Sequence, residues 1–128
     1  MILVYANQQF TGKPWGYERI LAQTDEYVVK LLHIKAGCRL SRQYHKVKDE
    51  TLWLISGESY IDIGVRVNME RGISMRIRPF LIHRICAVTD SEYIEVSTPE
   101  LNDIVRLEDD YGRVKPCHTR LKEAQSIT

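Results

Sequence analysis

The chain has 128 residues and a mass of 14.9 kDa, which is one domain's worth of polypeptide and enough to bury a core without disulfide staples. Its 18 Lys and Arg nearly balance its 17 Asp and Glu, so a partner held mainly by counterion release, such as duplex nucleic acid, is not expected. Three scattered cysteines, Cys38, Cys86 and Cys117, form no CxxC pair, which argues against a disulfide framework or a zinc knuckle and for a reduced, cytoplasmic setting. The opening Met-Ile-Leu-Val-Tyr is too short for a signal peptide, and no apolar stretch is long enough to span a membrane as a helix.

Apolar residues fall in short β-branched and aromatic runs separated by turn chemistry, which predicts an all-β protein. In chain order the candidate strands are 2–5, 17–22, 27–35, 41–45, 51–56, 59–65, 73–77, 82–87 and 92–97. Ala36-Gly37, Ser56-Gly57, Glu70-Arg71-Gly72, Thr89-Asp90-Ser91 and Ser97-Thr98-Pro99 break the runs. Many short strands at regular spacing point to a sandwich or barrel. Beyond them the pattern changes: 99–116 reads as an ordered loop closing a domain that spans 1–116, and 117–128 as a tail expected to fray.

One constellation carries chemistry. Gln43 and His45 are two apart on a candidate strand and so leave the same face. Lys46-Val-Lys-Asp49 is polar enough to turn the chain and bring Glu50 back beside His45, and His83 arrives on a separate strand. Two imidazoles, a carboxylate and an amide oxygen form a mixed N/O set suited to Zn, Mn, Fe, Ni or Co, without choosing among them. Each residue alone reads more readily as a satisfied polar side chain than as a ligand. Glu50 is the exception, because an acid opening the run Thr-Leu-Trp-Leu-Ile is costly to bury unless a cation meets it.

These residues carry a resemblance. The stretch Gly37-Cys-Arg-Leu-Ser-Arg-Gln-Tyr-His-Lys-Val-Lys-Asp-Glu-Thr-Leu-Trp-Leu-Ile-Ser-Gly57 resembles the first cupin motif, and the approach to His83-Arg84 resembles the second. Lys13-Pro-Trp-Gly-Tyr-Glu18, Ser41-Arg-Gln43, Ile94-Glu-Val96 and the string Asp103-Ile-Val-Arg-Leu-Glu-Asp-Asp-Tyr-Gly-Arg113 resemble, more specifically, the cupin domain of type II mannose-6-phosphate isomerases. The resemblance implies a double-stranded β-helix, or jelly-roll barrel, holding one divalent metal ion at Gln43, His45, Glu50 and His83. The sequence departs from that pattern in two places. Val47 stands where many relatives carry a further histidine, so a ligand slot falls to Gln43. The second motif usually has a glycine two or three residues before its histidine, and here Pro79-Phe-Leu-Ile82 intervenes, so that Phe80 or Leu81 is expected to narrow the mouth. Bifunctional relatives carry an upstream nucleotidyltransferase domain; none lies in these residues, so sugar-nucleotide synthesis is not expected.

The implied activity is interconversion of an aldose phosphate and a ketose phosphate, which needs a Lewis acid on the sugar oxygens and a base near C1 and C2. Glu108, Asp109 and Asp110 of the terminal string are the candidate bases, with Glu95 and His33 less favoured. Arg84, Arg106, Arg113, Lys13 and Lys30 are the candidate phosphate ligands, against a plain reading as surface charge. Trp53 is expected in the core or a subunit interface, and Trp15 against the entrance loop. The alternatives to an isomerase are a non-catalytic cupin that binds a sugar or sugar phosphate and, less favoured, a metal-dependent oxygenase. Apolar runs on nearly every strand and the short amino-terminal strand lead us to expect a homodimer.

Overall fold

A computed structural model describes residues 9–114, so the expected strand at 2–5 and the tail at 117–128 lie outside the described residues. The described part contains eleven strands and no helix, hence no helix long and apolar enough to cross a membrane. The strands are β1 Gln9–Lys13, β2 Gly16–Gln23, β3 Val28–Ile34, β4 Arg42–Tyr44, β5 Glu50–Ser56, β6 Ser59–Asp62, β7 Arg66–Met69, β8 Ser74–Ile77, β9 Arg84–Ala87, β10 Ser91–Ser97 and β11 Val105–Glu108. The large sheet runs β1-β2-β3-β10-β5-β8, antiparallel throughout. The facing layer is built from β7-β6-β9 and β11-β4, joined where Gln43 pairs with His83 and Arg39 with Cys86. This is the all-β double-stranded β-helix that the resemblance implies.

Strand alternation explains both the core and the opening in it. On β3, β10 and β5 every second residue points inward, so Leu32 and Ile34, Tyr93, and Leu52 and Leu54 meet Ile61 and Ile77 in an almost fully buried cluster. At one end of the same strands the inward residues are charged instead: Lys30 on β3, Glu95 directly across from it on β10, and Glu50 at the start of β5. The barrel is therefore apolar at one end and ionic at the other. Buried Tyr93 ties the layers together, donating to Ser59 Oγ at 2.6 Å while that hydroxyl donates to the Cys86 carbonyl at 2.8 Å. Burial pushes its phenol up to about 12.

The structure departs from the sequence reading in three elements. The run 59–65 is not one strand: Asp62 accepts from the Gly64 amide at 2.9 Å, turning the chain into β7, whose Arg66-Val-Asn core lacks an apolar run. The first strand, Gln-Phe-Thr-Gly-Lys, is an edge strand with little to bury. The segment 99–116 is not all loop, since Val105–Glu108 pairs with β4, irregularly between Arg106 and Glu108, and its polar residues hide the strand from any alternation test. The two glycines that bound the first motif are both left-handed, Gly37 at φ 74° and Gly57 at φ 90°, and a Cβ at Gly57 would overlap the Asp90 carbonyl.

Candidate metal and sugar site

His45, Glu50 and His83 converge at the ionic end of the barrel, between 1% and 3% exposed. His45 Nε2 lies 3.4 Å and His83 Nε2 3.3 Å from the same Glu50 oxygen, Oε1. The other ring nitrogen of each histidine faces a carbonyl: His45 Nδ1 donates to Asp103 O at 2.6 Å and His83 Nδ1 to Leu81 O at 2.9 Å. A carbonyl can only accept, so Nδ1 carries the proton and a neutral ring presents a bare lone pair at Nε2. Both Nε2 atoms are buried without a hydrogen-bond partner among the described residues. Two lone pairs aimed at one carboxylate oxygen repel unless something positive sits between them. A proton relieves one pair; a divalent ion relieves all three atoms, and ligands about 2.1 Å from a common ion stand about 3–3.5 Å apart, as these do. The donor set fits a divalent metal ion.

Gln43 lies opposite His83, the two backbones exchanging hydrogen bonds at 2.9 and 3.0 Å, so their side chains leave the same face. Its Oε1 accepts from Ser41 Oγ at 2.6 Å, leaving one lone pair toward the cavity. Burial pushes the Glu50 carboxyl up, but hydrogen bonds from the two histidines, available only when a proton rather than a metal ion sits at Nε2, and the Lys48 ammonium outweigh it and hold it well below the usual carboxylate range.

Lys48 is a site residue that the sequence reading missed. It is buried, with its ammonium 3.0 Å from Glu50 Oε2 and 3.7 Å from Glu95 Oε2. Burial alone would push its pKa down, yet the two carboxylates raise it, so the side chain is a cation. Glu95 is pushed up to about 7, first by burial and then by the Glu50 charge. On the other side Lys30 lies 3.4 Å from Glu18, which also meets Lys13 at 3.7 Å. Alternating charges thus line one wall from β1 to β5. Glu18 was also missed; the signal that could have found it is its pairing opposite inward Leu32, visible only once the register is known.

The cavity they face encloses about 410 Å³. Of the residues expected to handle substrate, Lys13, Lys30, Arg106 and Arg113 line it, as do Gln43, His45 and Glu95. Arg113 is held by Asp109 through two contacts of 2.9 Å. Arg106 Nε is buried with no hydrogen-bond partner among the described residues, and burial together with the nearby Arg113 charge lowers its pKa.

The terminal acids stand elsewhere. Glu108, Asp109 and Asp110, expected as bases, do not line the cavity. Asp110 is clamped by Arg39 at 2.6 Å and by Arg84 at 2.9 Å, Asp109 by Arg113, and largely exposed Glu108 lies 3.5 Å from both Arg42 and Arg84. Arginine neighbours hold Asp109 and Asp110 below the usual carboxylate range, which makes them poor proton acceptors. Arg84 likewise is not a cavity residue: it is fully buried on the far side of β9, donating to the Leu40 carbonyl at 2.8 Å and pairing with Asp110. His33, a lesser candidate base, stacks on Tyr17 at 4.8 Å outside the cavity. Neither Phe80 nor Leu81 narrows the mouth; Phe80 is exposed, stacked on Tyr44, and takes the left-handed φ of 69° in place of the expected glycine. Trp15 is buried and lines the cavity, whereas Trp53 is 50% exposed on the outer face of the large sheet, not in the core.

A family described as mannose-6-phosphate isomerase C-terminal matches residues 4–109. No curated protein matches the chain in sequence. Among solved structures the chain is similar to KdgF from Halomonas sp., with a TM-score of 0.68 and 17% identity over 75% of this chain and 88% of that one. It is also similar to an RmlC-like cupin from Shewanella frigidimarina, with a TM-score of 0.68 and 15% identity over 77% and 91%. The capsular polysaccharide assembling protein CapF from Staphylococcus aureus aligns with a TM-score of 0.65 and 17% identity, over 81% of this chain and 33% of its own length. At these identities the likeness shows the fold alone, and that fold is the cupin.

Proposed function

The chain belongs to the mannose-6-phosphate isomerase C-terminal family, and from that membership we propose that it binds a phosphorylated hexose beside a divalent metal ion and interconverts the aldose and ketose forms. The observation that carries the reading is the convergence on Glu50 Oε1 of two imidazole nitrogens without a hydrogen-bond partner among the described residues, beside a cavity that His45 and Gln43 line together with Arg106. His45, Glu50 and His83 would hold the ion, with Gln43 beside them, and the bound ion would supply a Lewis acid for the sugar oxygens.

The chain's own residues account for the rest. Arg106 offers the phosphate a guanidinium in no ion pair among the described residues, with Asp109 the nearest balancing charge, while Lys13 and Lys30 share Glu18 and so contribute less net charge. Glu95 is the cavity carboxylate in reach of the ligand cluster, and as an ionised base it would take the proton from C2 of the aldose and return it to C1, while the hydroxyl proton on O2 passes to O1. Lys48, 3.7 Å away, balances its charge. A second reading, a sugar-phosphate binder without turnover, draws support from Gln43: an amide whose oxygen already serves Ser41 is a weaker donor than a histidine.

The test is mannose 6-phosphate with protein loaded in turn with Zn²⁺, Mn²⁺, Ni²⁺, Co²⁺ and, without oxygen, Fe²⁺, following fructose 6-phosphate and the exchange of the C2 hydrogen in deuterated water. Turnover that falls at least ~100-fold in Glu95→Gln, with metal content unchanged, supports the isomerase. Saturable binding without C2 exchange under any of the metals would replace it with the binding reading, and oxygen uptake coupled to substrate loss would replace it with an oxygenase.

A further inference from the structure

Asp103 opens the terminal string, and its contacts reach the ligand cluster from two directions. Its main-chain carbonyl accepts the His45 Nδ1 proton at 2.6 Å. Its carboxylate accepts three consecutive amides, Lys46 N at 3.0 Å, Val47 N at 2.7 Å and Lys48 N at 2.8 Å. Those amides form the loop that carries the chain from His45 to Glu50, and they include that of Lys48, whose ammonium meets Glu50. The amide beyond them, Asp49 N, is tied at 3.0 Å to Thr98 Oγ1. The residues flanking Asp103, Asn102 and Ile104, line the cavity.

From this geometry we infer that Asp103 is the positioning residue of the site: its carbonyl sets which nitrogen of His45 faces Glu50, and its carboxylate fixes the loop that sets the distance between them. The two functions are mechanically linked. The carbonyl can hold the ring only while the 102–104 backbone stays docked, and the carboxylate docks it together with the β11–β4 pairing that begins at Val105. A free 46–49 loop would let His45 turn its Nδ1 lone pair toward Glu50 or leave the cluster, and the lone-pair pattern that suits a metal would be lost. The four acceptor contacts go to one residue, so the coupling needs no longer pathway. The metal part of the inference rests on the proposed function; the tautomer part does not.

The experiment therefore has two readouts. The first is the His45 tautomer in metal-free protein at pH 8, from long-range ¹H–¹⁵N correlation. The wild type is expected to show His45 locked with the proton on Nδ1, and Asp103→Asn, whose amide group turns a donor toward the 46–48 amides, to show a mixture. The second is Co²⁺ affinity, by calorimetry and by the visible band of the bound ion, expected to fall about 10–100-fold in Asp103→Asn and in Asp103→Ser. Asp90→Asn is the control: Asp90 clamps the Ala36 amide at 2.7 Å away from the cavity, so its loss should lower stability without moving either readout. A locked tautomer and a Co²⁺ affinity within twofold of wild type in a folded Asp103 variant would overturn the proposal. So would a wild-type His45 that populates both tautomers, a result that needs no variant to fold. Wild type that takes up no Co²⁺ yet has a His45 released by Asp103→Asn removes the metal reading and keeps the positioning role.

Discussion

Replacing Lys48 with methionine removes one charge from a site whose two carboxylates depend on it. At the effective dielectric of about 20 that suits buried pairs, the Glu50 contact at 3.0 Å is worth ~5.5 kcal/mol and the Glu95 contact at 3.7 Å ~4.5 kcal/mol. Against their sum stand the several kcal/mol needed to desolvate an ammonium and the modest gain from burying a methionine. The net loss expected for Lys48→Met is about 3–5 kcal/mol, the range for breaking a buried pair from one side. That is a large part of the ~5–15 kcal/mol that holds such a domain together.

The pH dependence follows from the sign of each shift. Lys48 has its pKa raised, so its contribution is fully present below the unfolded value and is lost only as pH rises past the folded one, well above neutrality. Without it Glu50 and Glu95 are both pushed upward. A carboxyl raised in the folded state contributes stability below its unfolded pKa and loses it as pH climbs through the folded pKa. Wild-type Glu50, held well below its ordinary value, is already paired with Lys48 at pH 4.5, so the penalty of Lys48→Met should be partial near pH 4.5 and grow as pH rises through about 7, where Glu95 ionises as well. Urea denaturation of chelator-treated protein at these pH values measures it. Divalent metal should act in the opposite direction: with the competing ammonium gone, Co²⁺ affinity should rise at least ~10-fold. A loss below ~1 kcal/mol at pH 8, or a metal affinity that falls, would refute the assignment of Lys48 as the built-in counter-cation.

Two further outcomes are expected. Phe80 sits at φ 69°, a conformation costing about 1–2 kcal/mol in a residue with a Cβ; Phe80→Gly should be at least ~1 kcal/mol more stable than Phe80→Ala in thermal or urea melts, and equal stabilities would show that the turn is not strained. On the outer face of the large sheet Leu31, Ile94 and Trp53 lie in one cross-strand row beside Val29 and Val96, an apolar surface suited to a second copy of the chain. Sedimentation velocity at micromolar concentration should show a dimer in the wild type and a monomer in Trp53→Arg; a wild-type monomer would exclude that use of the face.

The fold was legible because β-branched runs and turn residues bracket each other from 17 to 97, and the elements that escaped are those whose residues have little to bury. Edge strand β1, β7 and β11 are polar or short, and only pairing identifies them. The cluster of His45, Glu50 and His83 was legible for a different reason: strand parity, one turn and an acid that is expensive to bury all point to the same place. Lys48 was not, because a lysine in Lys-Val-Lys-Asp reads as turn solvation, and nothing in that stretch reveals that its ammonium folds inward.

The terminal acids, expected as bases and placed away from the cavity, show how a charged string should be weighed. Asp103, Glu108, Asp109 and Asp110 look like a store of carboxylates, but the fold occupies each one: Asp103 with three amides, Asp109 with Arg113, Asp110 with Arg39 and Arg84, and Glu108, more loosely, with Arg42 and Arg84. A carboxylate held by a guanidinium or by backbone amides is stabilised as an anion, and the same contacts that make it a good staple make it a weak base. Glu95 differs because burial and the neighbouring Glu50 push it up, and it faces the cavity. Its position was readable in principle: Tyr93, Glu95 and Ser97 share the inward parity of β10, as Val28, Lys30 and Leu32 do on β3, and two charges placed where alternation demands apolar residues mark the wall on which a polar ligand must lie.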